Sequence, residues 1–525
     1  MTPSRFRIEY LRADIHGLSA LEREALAGKL KKQSVARSLE DIEEIGDEYL
    51  LAERAQLAKW LEAQATKVGP HVAVLDSIRS LAEKGTACVV CFAEPALATG
   101  PQSTLMNVLH TVKVARDLST KWKRRVVPII WVQTDQHDST QLEQACVLNR
   151  SYELQQVRLD GVVRGRKALW DVAVHAQRHG LGSLRAALHQ MYGDYEYIDL
   201  ALDILLPREG ESLARAFTRG MYELLGKHGL VVIESDAMCE EVSSAMAQVV
   251  GAKFIEQLQR TDNELANIDL LYHSTQEGRL PLVSGGDGYR YRNEPGSRTR
   301  TELAAEIVQE PNAWSPGNMM RPLVRDLVLP VVAAVGDGHA LACHISAAPL
   351  HATHGRSTPA FIRSARLTLI DEEVRAALSR EKISLETVLH GLGTWRADAQ
   401  GYSEPDLLGE LKLIATRARK ELTTLKPKII AVDPDLKTPI KASSRELERV
   451  LADLGQRIQR AVANRDGKQE RRTRCLNQSL CPSSLPQGEV FGPLSWIARH
   501  GAGWIDELLE ELDPFCTEHL ALHLF

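Results

Sequence analysis

Long apolar runs and closely spaced cysteines are both missing from this sequence. No run of about 18 apolar residues occurs, as a membrane-spanning helix would need, and the amino terminus lacks the continuous apolar centre of a secretory signal. The 8 cysteines are scattered over 525 residues, unlike those of a small disulfide-stapled secreted domain. We therefore expect a soluble cytoplasmic protein with free thiols and no membrane partner.

An excess of basic charge is also missing. Lys and Arg number 64 against 69 Asp and Glu, so the formal net charge is −5. This balance gives no chain-wide basic field for a nucleic-acid backbone, so we expect small molecules and no nucleic acid as partners. What the chain does have is a hydrophobic fraction of 44%, which is enough to bury a large core. Its length exceeds that of one ordinary domain, so we expect two or three domains.

Short apolar runs predict the strands of a parallel sheet. ACVVCF at 87–92 and VVPIIWV at 126–132 are typical of strands buried on both faces. A stretch with helical periodicity, from Gln102 to about Thr120, connects them, and strand, helix, strand is the unit from which parallel sheets are built. A further apolar segment at 330–335 predicts that the sheet continues late in the chain. The pattern indicates an α/β fold.

Two later segments carry apolar residues at intervals of three and four, which is typical of amphipathic helices. The first contains Leu407, Leu411, Ile414, Ala418, Leu422 and Leu425, and the second contains Leu447, Val450, Leu454, Ile458 and Ala461. With a turn region at 426–439 between them, they predict an antiparallel coiled-coil hairpin. The hairpin would expose apolar surface to water unless another element packs against it. We therefore expect a homodimer in which a second copy of the hairpin does so; packing of the hairpin back onto the core is the alternative.

The sharpest local feature is the polar segment Thr134-Asp135-Gln136-His137-Asp138, which directly follows the 126–132 run. Ligands of parallel sheets sit beyond the carboxyl ends of the strands, so two carboxylates and an imidazole at this position are suited to acid–base catalysis. Asp135 or Asp138 would hold an ammonium group, and His137 would move a proton. The alternative is a polar turn that caps the next helix.

A second candidate is the loop Thr99-Gly100-Pro101, which precedes the helix beginning near Gln102. The free N–H groups and the positive end of a helix attract a carboxylate or a phosphate. The loop lacks the Gly-Lys-Ser/Thr ending of a P-loop and is not a GxGxxG turn. An ordinary helix start is therefore the alternative.

A third candidate segment contains Ser315, Asn318, Arg321, Asp326 and Gly336. Arg321 is suited to a bidentate contact with a substrate carboxylate, and the glycine turn that begins at Gly336 would open toward the strand ends. A structural Arg–Asp pair is the competing interpretation.

The cysteines and histidines show no redox or metal pattern. Cys88 and Cys91 form a CxxC, but they lie inside an apolar run, whereas redox pairs need an accessible helix start, so we expect buried core residues. The crowded histidines match neither HExxH nor a zinc spacing, and they are His339, His344, His351 and His354. We expect no metal site among them.

Taken together, these stretches resemble one known family. ATGPQSTLMNVLHTVKVARDL followed by VVPIIWVQTDQHD resembles the cysteine-adding ligases of bacillithiol biosynthesis, in which TGP leads a helix and an acidic turn ending in His-Asp follows the strand. WSPGNMMRPLVRDLVLPVVAAVG is similar to the family's segment with Ser-Pro-Asn, Arg-Pro and Asp. The end of the chain, from PQGEVFGPLSWIARHG, is similar to the family's carboxyl end. The resemblance covers about 85–145, 312–370 and 484–525.

The resemblance implies a Rossmann-like parallel-sheet core, an inserted connecting subdomain and, in the carboxyl-terminal half, an antiparallel coiled-coil hairpin that dimerises. The implied boundaries are a helical lead-in with the first part of the core at 1–150, the connecting subdomain at 151–311, the second part of the core at 312–370, the coiled-coil domain at 371–483 and carboxyl-terminal helices that return to the core at 484–525.

The resemblance also implies a reaction, in which the carboxyl group of cysteine condenses with the amino group of glucosaminyl malate. An amide forms in water only from an activated carboxyl, so ATP is the expected energy source, with no metal other than the Mg²⁺ that accompanies it. The catalytic candidates are Asp135, His137 and Asp138. The candidates for binding substrate or nucleotide are Thr99, Gly100, Pro101, Ser315, Asn318, Arg321, Asp326 and Gly336.

Several positions depart from the family pattern. The departures are Cys91-Phe92-Ala93-Glu94 for Thr-Gly-Gln-Gln, Asn107 for Lys, Arg325 for Gln, Asp337 for a second Gly, and Pro486-Gln487-Gly488-Glu489 for Pro-Gln-Glu-Arg. Because these changes fall in the candidate pocket, two alternatives stay open. One is the same chemistry on a different amine acceptor, and the other is a non-catalytic dimeric binding protein.

Overall fold

The structure is a computed structural model. It describes residues 6–30, 35–44, 51–134, 143–160, 174–234, 239–252, 269–275, 278–285, 288–292, 297–351, 354–390, 407–463 and 467–525. The predicted catalytic residues Asp135, His137 and Asp138 lie outside the described residues.

The secondary structure alternates strands and helices through most of the chain. The strands are β1 (Phe6–Leu11), β2 (Ala87–Ala93), β3 (Val126–Val132), β4 (Gln144–Leu148), β5 (Leu154–Arg158), β6 (Val231–Glu234), β7 (Leu271–Thr275), β8 (Gly278–Gly285), β9 (Gly288–Tyr291), β10 (Ser297–Arg298), β11 (Trp314–Pro316), β12 (Val331–Gly336), β13 (Ala360–Arg363), β14 (Leu367–Ile370) and β15 (His519–Leu524). The α-helices are α1 (Ala20–Leu26), α2 (Leu51–Thr66), α3 (Val72–Ser80), α4 (Gln102–Trp122), α5 (Leu181–Tyr192), α6 (Ile198–Leu205), α7 (Leu213–Leu225), α8 (Cys239–Gly251), α9 (Arg300–Gln309), α10 (Arg321–Val328), α11 (Gly338–His351), α12 (Glu372–Glu381), α13 (Leu385–His390), α14 (Leu407–Val432), α15 (Lys437–Ala463), α16 (Gly467–Leu480), α17 (Gln487–Val490), α18 (Leu494–His500) and α19 (Gly503–Glu511). In the described part of the chain, none of these helices is both long and apolar enough to cross a membrane.

The core is a five-stranded parallel sheet in the spatial order β13, β12, β2, β3, β6. Numbered by their order in the chain, the strands run 5-4-1-2-3, which is the Rossmann arrangement viewed from its other edge. Every residue of β3 is buried, and so is every residue of β2 except the half-buried Phe92, as expected for strands covered on both faces. The predicted parallel-sheet core is confirmed.

Helix α4 connects β2 to β3 and covers one face of this sheet. Its apolar stripe, which includes Leu105, Leu109 and Val112, is buried. Side chains alternate along a strand, so Cys91 and Phe92 point to opposite faces. Cys91 lies beside Thr111 of α4, whereas Phe92 faces α10 on the other side. The sheet is therefore covered by helices on both faces.

A second, antiparallel sheet arises from the middle of the chain, in the order β10, β9, β8, β7, β11. In it, His273 of β7 pairs with Trp314 of β11, and their rings stack with centroids 4.2 Å apart. For this region the family resemblance implied only a connecting subdomain at 151–311. Its strands are short and carry little alternation of apolar and polar residues, so they give a weak signal before they pair.

The two ends of the chain pair with each other. Strand β1 runs antiparallel to β15, from Phe6 opposite Leu524 to Leu11 opposite His519. The predicted carboxyl-terminal helices are present as α17 to α19, but the chain ends in a strand that was not predicted. An isolated run such as HLALHL becomes a strand because β1 supplies the partners for its backbone groups.

The chain folds as two compact units. The first comprises Met1–Val147, Gln155–Thr368 and Gly488–Leu524, and the second comprises Leu148–Leu154, Leu369–Gln487 and Phe525. The predicted inserted region at 151–311 falls mainly in the first unit. In the second unit, α12 and α13 pack against α16, and α14 packs against α15.

Helices α14 and α15 form the predicted coiled-coil hairpin, but the connection between them is shorter than predicted. Helix α14 continues through Pro427 to Val432, so the turn is confined to 433–436 instead of 426–439. A proline removes one backbone hydrogen bond, which a long helix can tolerate. The chain reverses where the Asp433 side chain accepts a hydrogen bond from the backbone N–H of Asp435, at 2.9 Å.

The segment near the carboxyl terminus closes over the start of α4. The backbone N–H of Gln102 donates to the carbonyl oxygen of Phe491, at 2.8 Å. Gly492 lies so close to the Gly100 loop that a Cβ atom on Gly492 would stand 2.5 Å from the carbonyl oxygen of Gly100. Only glycine fits at position 492 without a shift of the backbone.

We predict that Gly492→Ala lowers the stability of the protein by about 1–3 kcal/mol, because the added methyl group collides with backbone atoms. Gly251→Ala is the matched control, since a Cβ atom there meets nothing within 4 Å. Thermal unfolding of both variants checks this. An unchanged midpoint for Gly492→Ala would show that the contact is looser than the structure has it.

Candidate active site

The candidate site is the edge of the core sheet where the parallel strands end. Strands β2 and β12 are neighbours at the centre of the sheet, and the helices that follow them, α4 and α11, cover opposite faces. Between two such strands the connections diverge and leave a crevice, which is where ligands of open parallel sheets bind. The residues directly after β2, β12 and β13 therefore define the site.

The loop before α4 has an unusual backbone. Ala98, Thr99 and Gly100 have φ values of 55°, 65° and 74°, a left-handed conformation that is uncommon for the two non-glycine residues. The hydroxyl of the buried Thr99 donates to the carbonyl oxygen of Ala98, at 2.6 Å, and Pro101 occupies the N-cap position of α4. Strain of this kind persists where the surrounding structure enforces it, often at binding sites.

Gln102, the first residue of α4, was not among the predicted site residues. Its side chain is fully buried, and within the described residues neither its amide nitrogen nor its amide oxygen has a hydrogen-bond partner. A buried amide without partners costs free energy, so it marks a place where a bound polar group would be stabilising. The signal in the sequence was its position directly after Thr-Gly-Pro.

Polar contacts tie the end of β12 to α4 and to the residue after β13. The backbone N–H of Ser364 donates to the carbonyl oxygen of Gly336 at 2.9 Å, and its hydroxyl donates to the side-chain oxygen of Asn107 at 2.5 Å. Gly336 is thus brought beside α4, the helix that begins just after Thr99, Gly100 and Pro101. Ser364 was missed because nothing in its local sequence shows that β13 joins this sheet.

His110 is a buried neutral histidine in the same helix. Its Nε2 accepts from the backbone N–H of Ala365 at 3.2 Å, so its Nδ1 donates to the carbonyl oxygen of Met106 at 2.9 Å. Burial lowers the pKa of His110 to about 4. The residue therefore positions the loop after β13 and carries no charge at neutral pH.

Charged groups surround the ends of β12 and β13. Arg363 and Arg366 both lie near Glu22, with nitrogen-to-oxygen distances of 3.4 and 3.5 Å. Burial raises the pKa of Glu22, but hydrogen bonds from Ser19 and the two arginine charges outweigh burial, so the pKa is lowered. Asp337 caps α11 by accepting from the backbone N–H of Ala340 at 3.0 Å. Positively and negatively charged side chains therefore both lie at this edge of the sheet.

Three of the predicted binding residues lie at the second sheet. Ser315 belongs to β11, is buried and accepts a hydrogen bond from the guanidinium of Arg279. The guanidinium of Arg321 donates to the carbonyl oxygen of Pro316 at 2.9 Å, and Asn318 is exposed. Arg279 was not predicted, because its pairing with Ser315 depends on the fold of the second sheet.

Asp326 takes part in a buried ion-pair network under the core sheet. Its carboxylate accepts from Arg325 at 2.9 Å and from His351 at 2.8 Å. The guanidinium of Arg325 also lies over the ring of Phe92, 5.1 Å from its centroid. Phe92 and Arg325, two of the departures from the family pattern, are therefore in contact.

Chains similar to this one are known. The family model described as "Bacillithiol biosynthesis BshC, N-terminal Rossmann-like domain" matches residues 29–361, and the one described as "Bacillithiol biosynthesis BshC, C-terminal coiled-coil domain" matches residues 367–524. A relative from Solibacter usitatus, named "Putative cysteine ligase BshC", is 23% identical over 461 residues, covering 84% of this chain and 86% of the relative. A relative of the same name from Koribacter versatilis is 22% identical over 495 residues, covering 91% of each chain.

The fold defines a protein of the α/β class with polar groups at the carboxyl edge of a parallel sheet, the edge at which ligands of such sheets bind. Since the two family models together match most of its length, the chain belongs to the BshC family of bacillithiol biosynthesis. Members of this family are named as ligases, and the chain is accordingly an enzyme of the ligase class.

The buried network at Asp326 gives a testable prediction. Burial alone would raise the pKa of Asp326, but the Arg325 charge and the hydrogen bonds from His351 and Arg325 lower it. The carboxylate's contribution to stability is therefore complete above the unfolded-state pKa of about 4 and is lost as the pH falls through the lower, folded-state value. Asp326→Asn leaves Arg325 buried without its counter-charge, so we expect a loss of about 3–5 kcal/mol at neutral pH.

Denaturant unfolding measured between neutral and acidic pH checks this, with Glu62→Gln as the matched control. Glu62 pairs with Arg79 at 2.6 Å on the surface, where solvent screens the pair, so its loss should change stability little. Equal effects of the two substitutions would contradict the assigned role of Asp326.

Proposed function

We propose that the protein joins the carboxyl group of L-cysteine to the amino group of an amino-sugar acceptor such as glucosaminyl malate, with ATP as the energy source. The observation that carries the proposal is the set of polar groups at the ends of β2, β12 and β13 in a member of the BshC family. The relatives' names supply cysteine as a substrate. The cytoplasm, where ATP and reduced cysteine are available, is the proposed compartment.

Amide formation requires an acceptor amine that has lost its proton and a carboxyl that has been activated. We assign the binding and deprotonation of the acceptor amine to Asp135, His137 and Asp138. One of the two carboxylates would hold the ammonium group, and His137 would accept its proton. These residues follow Thr134 in the chain, which is fully buried just beyond the end of β3. The position of these residues in the chain, shortly after a core strand, supports the assignment.

ATP would be held on the α4 side of the crevice. The Gly100 loop and the buried amide of Gln102 offer polar groups without negative charge. At α11, in contrast, the Asp337 carboxylate already caps the helix and would repel a phosphate. ATP would supply the activation of the cysteine carboxyl, and the Mg²⁺ that accompanies ATP is the one metal the proposal includes.

A different amine acceptor is the second candidate, and Asn107 is the observation that favours it. The family's usual Lys at this position would place a cation near the end of β12, whereas Asn107 accepts a hydrogen bond from Ser364. Phe92 and Arg325, which are in contact near the end of β2, also depart from the family pattern. An acceptor with a different charge distribution from glucosaminyl malate would fit these changes.

The deciding experiment is incubation of the purified protein with cysteine, glucosaminyl malate and ATP, followed by mass analysis. We expect the condensed product, and we expect His137→Ala to reduce its formation by about 10²–10⁴-fold through loss of the proton acceptor. His189→Ala, which alters an exposed histidine on α5, is the matched control and should leave the rate unchanged.

Two other outcomes would redirect the proposal. Consumption of an unrelated amine in place of glucosaminyl malate, with the preference reversed by Asn107→Lys, would support the second candidate. If no amide forms, no ATP is consumed, and His137→Ala still binds cysteine as the unaltered protein does, the protein is a binding protein that lacks the chemistry.

We further propose that the protein is a homodimer through the α14–α15 hairpin. Apolar side chains of this hairpin are exposed to solvent, and they are Leu413, Ile414, Leu425, Val432, Val450 and Leu454. Exposed apolar residues clustered on two adjacent helices are typical of an interaction surface, and a second copy of the hairpin has the matching apolar character.

For the dimer, we predict that Val450→Glu halves the molar mass measured by light scattering, because a charge in an apolar helix interface opposes association. Val72→Glu is the matched control, since Val72 is similarly exposed, at 61% against 51% for Val450, but lies on α3. A dimer that survives Val450→Glu, or an unaltered protein that is monomeric, would exclude this interface.

A further inference from the structure

Helix α11 carries a cysteine–histidine pair that the proposed ligase chemistry does not use. His339 and Cys343 are four residues apart, so they lie on the same side of the helix, and the Nε2 atom of His339 is 3.8 Å from the Sγ atom of Cys343. His339 is exposed and Cys343 is half-buried, so small molecules can reach the sulfur.

The surroundings of this pair favour a charged imidazole. The pKa of His339 is raised to about 9, first by its hydrogen bond to Cys343 and by the sulfur's charge, with further contributions from the carboxylates of Asp337 and Glu94 and opposition from burial. A third carboxylate, that of Glu22 on α1, lies against Gly338 at the start of the helix. An imidazolium next to a thiol stabilises the thiolate, which is the nucleophilic form of cysteine.

Most of the other cysteines lie in different surroundings. Burial raises the pKa of several of them, namely Cys88, Cys91, Cys146, Cys481 and Cys516. Of these, Cys146 is half-buried like Cys343 but makes no imidazole contact within the described residues, which makes it an internal reference.

We propose that Cys343 is a redox-modified thiol that forms a mixed disulfide with low-molecular-weight disulfides, and that this adduct closes the crevice at the carboxyl edge of the sheet. Cys343 is five residues beyond Gly338, so it lies about 8 Å along α11 from the start of the helix. A cysteinyl group attached there is long enough to reach the residues after β12. Formation of the disulfide would then reduce access to the site.

The exchange step is balanced without any further reagent. The Cys343 thiolate attacks one sulfur of a disulfide R–S–S–R, a new S–S bond forms, and the original S–S bond breaks. Cys343 and one R–S group remain joined, and the other R–S group leaves as a thiolate that takes the proton from the His339 imidazolium. An external thiol reverses the reaction by the same route.

The test uses the full-length protein and cystine, with peptide mapping by mass spectrometry to follow each cysteine separately. We expect the cysteinyl adduct to form on Cys343 roughly tenfold faster than on Cys146 at neutral pH, as activation by a neighbouring imidazolium predicts. His339→Gln should remove this difference by slowing the reaction on Cys343, and the substitution should leave the rate on Cys146 unchanged. Equal rates on Cys343 and Cys146 in the unaltered protein, or no effect of His339→Gln, would overturn the proposed activation.

The closing of the crevice is tested separately. Cystine should inhibit the unaltered enzyme, dithiothreitol should restore it, and Cys343→Ser should resist inhibition while keeping its basal activity. ATP binding, measured by calorimetry with and without the adduct, gives a readout that does not need amide formation. An adduct that forms on Cys343 yet alters neither ATP binding nor activity would refute the closing role.

Discussion

Strand β2 pairs with β3 on one side and with β12 on the other, and the candidate site depends on this double pairing. The partners come from residues 126–132 and 331–336, so the pairing joins parts of the chain that are far apart in sequence. Because all three strands are parallel, their carboxyl ends meet at one edge. The Gly100 loop after β2 and the turn after β12 are thereby brought to the same edge of the sheet.

The residues near this edge show how a member of a ligase family can keep its scaffold and change side chains beside the candidate site. The contact of Arg325 with Phe92 and that of Asn107 with Ser364 each involve a residue that departs from the family pattern. The strands and helices that carry these residues retain the parallel-sheet architecture. The scaffold fixes backbone positions through strand pairing, and the departing side chains find partners within it, as Arg325 does with the buried Asp326.

Charge is distributed unevenly between the two helix starts at this edge. Helix α11 begins with the Asp337 carboxylate as its cap, whereas α4 begins at a strained loop with the uncharged Gln102. An anionic ligand is therefore favoured at α4 and disfavoured at α11. The same carboxylate, with Glu94, also favours the charged imidazole of His339.

The central parallel strands, the long helix α4 and the coiled-coil hairpin could be predicted from the amino-acid sequence, because apolar runs and helical periodicity are local signals. The sequence also determined the family, through motifs such as ATGP and WSPGN that keep their order along the chain. Four features became visible only in the folded chain: the contact of Ser364 with Asn107, the contact of Arg279 with Ser315, the buried Gln102 amide without a partner among the described residues, and the pairing of β1 with β15. These facts depend on contacts between distant segments, and a side chain's partners are set by how the strands pair and not by its own neighbours in sequence.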